Sequence, residues 1–331
     1  MDITLGLWAA TIGGIALLII LDFVTVSRKP HDVMFKEALL WSMFYIGIAI
    51  AFGAWVWVWA GSTFGTQYYA AYLVEKSLSV DNLFVFIIIL TQFAVPTKLH
   101  QRVLLFGVVL ALILRAIFIA IGAAAISTFA FTFVLFGALL IWTGIQLARH
   151  RDQDPDPMNN PIIRRVRARF KFSETYDGTK LFTKVDSVKV ATPLLLVMVA
   201  IGATDLLFAL DSIPATFGVT QEPYLVFAAN AFALLGLRAL YFLLKGLLDK
   251  LVYLSTGLSV ILVFIGIKLV LTYFHEVFPE TVPKIPTNVS LAFIGVVLLI
   301  VGVASWLKVR TDPTAIAHAG RLTDPPEEDA Q

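Results

Sequence analysis

The sequence predicts an all-α polytopic membrane protein. Its 331 residues are 59% hydrophobic and only 15% charged, whereas soluble domains are about 45–50% apolar and about 25% charged. Nine segments are long and apolar enough to cross a bilayer, which takes about 20 residues each. Lys and Arg residues collect after alternate segments, as expected for cytoplasmic loops. So few charged residues could not form the surface of a soluble protein of this size. They also exclude a nucleic-acid-binding protein, which would need a basic surface.

The nine predicted spans divide the chain into six parts. Span one carries Asp22 where a cleaved signal peptide would need small residues, so we expect it to remain as a helix. The spans cover residues 4–26, 38–60, 68–94, 102–125, 128–148, 191–214, 223–244, 251–274 and 288–307. The parts are two N-terminal helices (1–66), a first three-helix unit (67–148), a basic cytoplasmic loop (149–190), a second three-helix unit (191–274), a final helix (275–310) and a disordered cytoplasmic tail (311–331).

Basic residues also predict the orientation of the chain. They follow the odd-numbered spans, and the intervening loops hold only Lys284. The N-terminus is therefore expected outside and the C-terminus in the cytoplasm, in the inner membrane of a bacterium. Residues 162–171 form a basic amphipathic stretch suited to anionic lipid headgroups, although a solvated loop would show the same charge. Beyond it, Asp177-Gly178 between short apolar runs indicates a hairpin.

Three sequence matches recur in the same order along the two three-helix units. Spans three and six, which begin the units, run in opposite directions through the bilayer, so the matches predict a 3+3 inverted repeat. Such repeats are typical of secondary transporters, whose sites lie near the midplane. The matched pairs are Glu75–Leu83 with Asp205–Ile213, Leu114–Phe118 with Leu237–Tyr241, and Ile141–Leu147 with Val263–Leu269.

Nine charged residues fall inside the predicted spans. Each costs about 2.5–3.5 kcal/mol at a helix centre, so these groups must pair, line water or hold a cation. The cations are interpreted either as members of structural ion pairs or as counter-ions and gates. Asp22 is interpreted either as a ligand where the cation enters or as an interfacial acid without such a role. The acids are Asp22, Glu75, Asp81, Asp205 and Asp211, and the cations are Lys76, Arg115, Arg238 and Lys268.

The spacing of the acids raises a question of helix geometry. Glu75 and Asp81 are six residues apart, so a regular helix does not place them on one face. Both point inward if the helix loosens around Ser77 and Ser79, or if span three is enclosed on most sides. In span six, Gly202 and Pro214 suggest a comparable break, which membranes tolerate only beside a cavity.

The donor atoms near these acids narrow the class of ligand. Carboxylates together with hydroxyl and amide groups form an all-oxygen set, which suits Mn²⁺, Ca²⁺ and Mg²⁺. Zinc and copper sites recruit Cys or His, yet the chain has no Cys and its five histidines are predicted in loops or the tail. We expect a transported cation and no permanently bound cofactor. Beside the acids, Asn82 and Ser212 are predicted as further metal ligands, and Ser79 and Thr204 as auxiliary donors.

The segments Glu75–Phe86 and Asp205–Ala215 resemble the two signatures of the TerC family of integral membrane proteins. Asp22 in the opening span and Tyr176-Asp177-Gly178 fit as well, closest to the Alx-like branch. The resemblance implies a multi-spanning transporter linked to manganese export, in a family named for tellurite resistance. It also implies that the motif acids bind the metal. Position 205 is Asp where Glu is common in the family, and the shorter side chain changes the size of the site. Those acids are Glu75, Asp81, Asp205 and Asp211.

The leading hypothesis is thus a divalent-cation exporter that works by alternating access. Proton exchange is compatible with it, because neighbouring carboxylates bind protons more tightly. A proton- or sodium-coupled cation antiporter for pH homeostasis would use the same acids. An intramembrane aspartyl protease built on Asp81 and Asp211 lacks the Gly-x-Gly-Asp pattern, so we expect no enzyme. Direct handling of tellurium oxyanions is disfavoured because an anion site needs converging cations or helix N-termini.

Overall fold

The structure is a computed structural model, and it describes residues 3–28, 35–150, 161–185, 188–244, 251–278, 281–282 and 285–312. Lys284 and the predicted tail beyond residue 312 lie outside the described residues. The backbone of Asp81 is described as part of a helix, whereas its side chain is not.

Eleven α-helices and one two-stranded sheet make up the regular structure of the described residues. The helices outside the segment between α5 and α7, which we call the insert, are apolar, and all of them except α8 and α9 have at least 18 residues. The insert holds one short helix and both strands. In chain order they are α1 (Leu5–Arg28), α2 (Phe35–Ala60), α3 (Ser62–Gln92), α4 (Thr97–Thr128), α5 (Thr132–Arg149), α6 (Pro161–Arg169), β1 (Phe182–Val185), β2 (Val188–Ala191), α7 (Pro193–Val219), α8 (Pro223–Leu234), α9 (Leu237–Leu244), α10 (Leu254–Val277) and α11 (Thr287–Thr311).

The helical architecture expected from the sequence is confirmed. Within the described ranges, eight segments are long and apolar enough to cross a membrane, and they match every predicted span except the third. The third corresponds to α3, whose 31 residues would reach about 46 Å at about 1.5 Å per residue. Its charged residues Glu75, Lys76 and Asp81 make it less apolar than its neighbours. The count of nine spans stays a prediction.

The break suggested in span six is wrong, and so is the loosened helix that was one of two alternatives for span three. Helix α3 is continuous from Ser62 to Gln92, and α7 continues through Pro214 to Val219. The Ser77 hydroxyl donates to the Leu73 carbonyl of its own helix at 2.6 Å, so it bonds within the helix instead of opening it. The other expectation for span three, enclosure on most sides, agrees with the structure, because α3 packs against α2, α7, α8 and α11.

The discontinuity lies instead in span seven, which consists of two helices. Gly236, with φ +78°, separates α8 from α9, and a positive φ favours glycine. A Cβ atom at Gly236 would lie 2.8 Å from Cβ of Tyr45, so the approach of α2 also requires glycine. The Lys76 ammonium donates to the Ala233 carbonyl at 3.1 Å. That carbonyl is among the last four of α8, and no amide within the helix donates a hydrogen bond to these carbonyls.

The unit boundaries also differ from the prediction. The boundary at 66/67 falls inside α3, because the helix already begins at Ser62, after Gly61 with φ +98°. The boundary at 274/275 falls inside α10. Both differences arise because polar helix ends continue the backbone hydrogen bonding beyond the apolar core of a span.

Burial separates central from peripheral helices. In the most apolar window of the α8–α9 span 83% of the residues are buried, compared with 17% in α1 and 22% in α11. The peripheral helices expose large apolar side chains such as Leu17 and Leu299, which is expected for surfaces that face lipid. Helices α3 and α8 therefore form the interior of the bundle, where charged residues can be kept from hydrocarbon.

Counterparts in the predicted repeat pack against one another. Helix α3 packs against α7, α4 against α8 and α9, and α5 against α10. The α5–α10 contact depends on small residues, since Cβ atoms at Gly137 and Gly266 would each lie 2.7 Å from the carbonyl oxygen of the other residue. Small residues allow this close approach of membrane helices. This packing supports an inverted repeat, which stays a prediction.

The insert has a different strand pairing from the expected hairpin. Strands β1 and β2 pair with each other, and Phe172 forms a parallel bridge to Ala191. Asp177 and Gly178 still form a turn: the Thr183 hydroxyl and the Lys180 ammonium donate to the Asp177 carboxylate at 2.7 and 3.0 Å. These hydrogen bonds lower the pKa of Asp177. The strands pair where β-branched residues cluster, on the far side of the turn.

We predict that Gly266→Ala destabilises the protein, because its new methyl group would meet backbone atoms of α5 that cannot move aside. Overpacking of this kind costs about 1–3 kcal/mol. The matched control is Gly302→Ala on α11, where a Cβ atom meets nothing within 4 Å. Thermal unfolding in detergent should show a lower Tm for Gly266→Ala alone, and equal Tm values for the two variants would contradict the α5–α10 packing.

Candidate cation site

Polar side chains lie along one side of α3 and one side of α7, which pack together. On each helix their spacing follows the period of a helical face, and each residue is at most 4% exposed. They are Glu75, Ser79 and Asn82 on α3, and Asp205, Ser212 and Thr216 on α7.

Arg115 of α4 lies between the acids of these two helices. Its Nη1 atom donates to Oε2 of Glu75 at 2.6 Å, and its Nη2 atom lies 3.7 Å from Oδ1 of Asp205. The arginine side chain is 1% exposed. An unpaired arginine would be costly at this depth, and the two carboxylates offset that cost. One guanidinium therefore bridges the matched acids of the two predicted repeat units.

Two neutral side chains complete this arrangement. The Thr216 hydroxyl donates to Oε1 of Glu75 at 2.6 Å. With its amide oriented to satisfy both neighbours, Asn82 donates to the Leu78 carbonyl at 3.0 Å and accepts from Nη2 of Arg115 at 3.2 Å. We call Glu75, Asn82, Arg115, Asp205 and Thr216 the arginine–acid cluster.

Several buried polar atoms near the cluster have no hydrogen-bond partner among the described residues. These atoms belong to residues of the cluster or to residues on the same helix faces. Because buried polar groups are normally satisfied, the pattern marks a region that can accept water or an ion. They are Oδ2 of Asp205, Nε of Arg115, Oγ of Ser212 and Oγ of Ser79.

The other two motif acids are not seen in the cluster. The Asp211 carboxylate is buried and lies beside the hydroxyl of Thr143 on α5. The side chain of Asp81 lies outside the described residues. In the part of the chain that the structure describes, no three Asp, Glu or His side chains are grouped as a metal ion would require. The structure thus brings together two of the four motif acids, Glu75 and Asp205, with Asn82 beside them.

Asp22 and Arg238 form a separate ion pair between α1 and α9. Nη2 and Nε of Arg238 donate to Oδ1 and Oδ2 of Asp22 at 2.5 and 3.1 Å, and both residues are buried. This two-pronged geometry is the strong form of an Arg–carboxylate contact. Asp22 therefore pairs with Arg238, whose two considered roles, counter-ion and gate, stay predictions.

The remaining predicted residues lie apart from the cluster. Lys76 is hydrogen-bonded at the end of α8, and the Lys268 ammonium donates to the Ser290 hydroxyl at 2.9 Å, joining α10 to α11. Thr204 is half-buried on α7, and within the described ranges no hydrogen bond joins its side chain to the cluster. The two lysines thus stabilise contacts between helices.

The expectation that all histidines lie in loops or the tail is wrong for two of them. His100 is buried in α4, where its ring bonds to the Tyr241 hydroxyl and the Val95 carbonyl at 3.0 and 2.9 Å. His275 lies in α10 and contacts the Val282 carbonyl at 2.6 Å. Both belong to helix ends that extend beyond the apolar segments, and neither is part of the arginine–acid cluster.

Sequence reasoning missed Thr216 and Thr143. Thr216 follows Asp205 by eleven residues and Ser212 by four, a spacing that keeps all three on one face of a helix. That period could have identified it. Thr143 lies in the third repeat match, but nothing in its own sequence indicates a contact with Asp211, which comes from another helix.

The fold and site define a class: an integral membrane protein with a buried ion-pair cluster between packed helices. The chain matches the Integral membrane protein TerC family over residues 60–312. It belongs to the TerC family.

Relatives extend over nearly the whole chain. An uncharacterized membrane protein of Mycobacterium tuberculosis is 50% identical over 273 residues, which are 81% of this chain and 69% of that protein. One of Myxococcus xanthus is 42% identical over 317 residues, covering 96% and 97%. Alx of Escherichia coli K12, named as a membrane-bound redox modulator, is 35% identical over 316 residues, covering 92% and 96%. No solved structure matches the chain.

We predict that the Asp22–Arg238 pair behaves as a structural unit. Removing one member of a buried ion pair costs about 3–5 kcal/mol, because the other charge is left buried. Arg238→Met and Asp22→Asn should each lower the Tm in detergent, and the double variant should lose less than the sum. Lys308→Met removes the exposed partner of Asp312 and should cost under about 1 kcal/mol. Additive losses at Asp22 and Arg238 would contradict the pairing.

Proposed function

We propose that this chain is a secondary transporter that exports a divalent metal cation, with Mn²⁺ the favoured cargo, from the cytoplasm across the inner membrane of a bacterium. The observation that carries the proposal is the arginine–acid cluster. Acids from two helices, Glu75 of α3 and Asp205 of α7, meet inside the bundle around one arginine. A purely structural role would not require buried oxygen atoms without partners, such as Oδ2 of Asp205.

The choice of cargo follows from the donor atoms. The cluster and its surroundings offer carboxylate, hydroxyl and amide oxygens, and oxygen ligands suit Mn²⁺, Mg²⁺ and Ca²⁺. Asp81, Asp211 and Ser212 are proposed as further ligands, which approach the site when the cargo binds. The chain has no Cys, so its own side chains offer no thiol for the redox role that the name of Alx suggests.

Alternating access is the mechanism that fits this arrangement. The acids of the cluster belong to opposite predicted repeat units, and rocking of one unit against the other would open the site to each side in turn. The glycine at position 236 interrupts span seven next to this region. Lys76, which follows Glu75 on α3, is hydrogen-bonded to the carbonyl of Ala233 just before that interruption. Movement at the site is thereby linked to the break.

The proposal predicts Mn²⁺ transport by the purified protein in liposomes, followed with a trapped Mn²⁺-sensitive dye. Glu75→Gln, Asp205→Asn, Asp81→Asn and Asp211→Asn should each reduce the rate at least about tenfold, since one lost charge-assisted contact is worth about 1.5–3 kcal/mol. Asp177→Asn makes the same chemical change at an exposed turn of the insert and should transport at the wild-type rate.

The competing functions give different results in the same vesicles. Transport that survives in both Asp81→Asn and Asp211→Asn, or in both cluster variants, would contradict the site assignment. Cation-dependent dissipation of a pH gradient without any divalent ion would favour the pH-homeostasis antiporter. Cellular manganese content, measured with and without the chain, gives the direction of transport: expression should lower it, and a rise would contradict export.

We also propose that α6 binds anionic lipid headgroups on the cytoplasmic side. Ile163 of this helix is fully buried against the body of the protein, and α6 packs on α7. The basic side chains point away from that contact, and basic residues near an anionic surface contribute about 1 kcal/mol each. The exposed residues are Arg164, Arg165, Arg167 and Arg169.

Nanodiscs test this lipid contact. Replacing neutral phosphatidylcholine by phosphatidylglycerol should raise the Tm of the wild-type protein at low salt, and high salt should remove the difference because it screens the charges. Arg164→Gln/Arg165→Gln should lose most of the difference. Lys180→Gln, which removes an exposed charge elsewhere in the insert, should keep it. An equal effect of lipid on both variants would contradict the contact at α6.

A further inference from the structure

We propose that Arg115 is a built-in competitor of the transported cation: its guanidinium and the divalent ion take turns on the carboxylates of Glu75 and Asp205. The inference rests on the proposed function and adds a regulatory residue to it. A divalent cation could reach these two acids only by displacing the arginine, since Nη1 of Arg115 already lies 2.6 Å from Oε2 of Glu75.

The geometry of Arg115 differs from that of an arginine held for structure alone. Arg238 gives both Nε and Nη2 to the two oxygens of a single acid, Asp22. Arg115 instead divides its contacts between two acids on different helices: only Nη1 donates at short range, Nη2 lies 3.7 Å from Asp205, and Nε has no described partner. The chain thus contains one arginine with a complete forked contact to its acid, Arg238, and one with incomplete contacts, Arg115.

The incomplete contacts of Arg115 allow a cation to replace its guanidinium on the two carboxylates. Oδ2 of Asp205 is buried without a described partner, and so is Oγ of Ser212 further along the same face of α7. A cation that enters would first bind one of these spare oxygens and then take over the oxygens that face Arg115. Asn82 accepts a hydrogen bond from Nη2 of Arg115, so the arginine keeps one neutral partner as it withdraws.

Charge balance explains why such a competitor would be useful to a transporter. Two carboxylates and one guanidinium carry a net charge of about −1, which makes an empty site less costly at this depth than two bare carboxylates would be. The returning guanidinium would also help to release a bound cation through charge repulsion. A transporter needs binding that is firm enough to load and weak enough to unload, and Arg115 would set that balance.

Metal binding to the purified full-length protein tests the inference, with Mn²⁺ as the only probe and isothermal titration calorimetry as the measurement. Arg115→Met should raise the Mn²⁺ affinity at least about tenfold, because no cation has to be displaced. Arg115→Lys keeps the charge without the planar guanidinium, so its Mn²⁺ affinity should lie between those of Arg115→Met and the wild type. The control Arg238→Met also removes a buried arginine and should leave the affinity within about threefold of wild type.

Thermal unfolding supplies a second measurement, the increase in Tm on addition of Mn²⁺, which a purely structural role of Arg115 would not change. Without metal, Arg115→Met should melt below the wild type, since its acids are left without a counter-ion, and Mn²⁺ should raise its Tm more than it raises that of the wild type. Arg238→Met should also melt lower, but Mn²⁺ should raise its Tm only as much as it does for the wild type.

Each failure has a separate meaning. A folded Arg115→Met that binds Mn²⁺ no better than the wild type would overturn the competition. Should that variant not fold, an affinity of Arg115→Lys equal to or below wild type would overturn it as well. A wild-type protein that binds no Mn²⁺ would overturn the proposed function itself, whereas wild-type binding combined with an unchanged Arg115 variant would overturn the competition alone.

Discussion

The ion contacts of Arg115 with Glu75 and Asp205 are the interaction on which the interior of this protein depends. In a bilayer, each of these charges would separately cost several kcal/mol. Together they can be buried because α3, α4 and α7 bring them within ion-pair distance inside the bundle. The requirement to keep charge away from lipid therefore constrains how α3, α4 and α7 meet.

The packing of the bundle serves that requirement. Close contact between α5 and α10 at Gly137 and Gly266 lets the outer helices enclose the charged ones without large side chains between them. Helix α8 is almost entirely enclosed, and its end at Gly236 leaves backbone carbonyls that need donors. Lys76 supplies one such donor. A charged residue next to the site thus also satisfies the backbone of a broken span.

Hydropathy and charge were enough to predict the helical class, most span positions and the identity of the buried charges. These features depend on composition over about 20 residues, which one sequence displays directly. The partner of each charge could not be predicted in the same way. Arg115 and Arg238 occupy matched positions in similar segments, yet one divides its contacts between two acids and the other pairs with Asp22.

Helix breaks were predicted at the wrong places for a related reason. Pro214 lacks an amide hydrogen, but α7 tolerates the loss of one hydrogen bond and continues. Gly236 looks unremarkable in the sequence, and the approach of Tyr45 on α2, which leaves no space for a Cβ atom there, is visible only in the structure. Such tertiary contacts override local propensity. Within the site, Thr216 was accessible to a periodicity argument, whereas Thr143 was not, because it lies on another helix from Asp211.

The most direct measurement is the position of Mn²⁺ in an experimental structure of the loaded protein, located by anomalous scattering at the manganese edge. We expect a peak within coordination distance of carboxylate oxygens from both Glu75 and Asp205, with the Arg115 guanidinium displaced from Glu75. A manganese peak elsewhere in the molecule, or one that coexists with the 2.6 Å contact between Arg115 and Glu75, would contradict it.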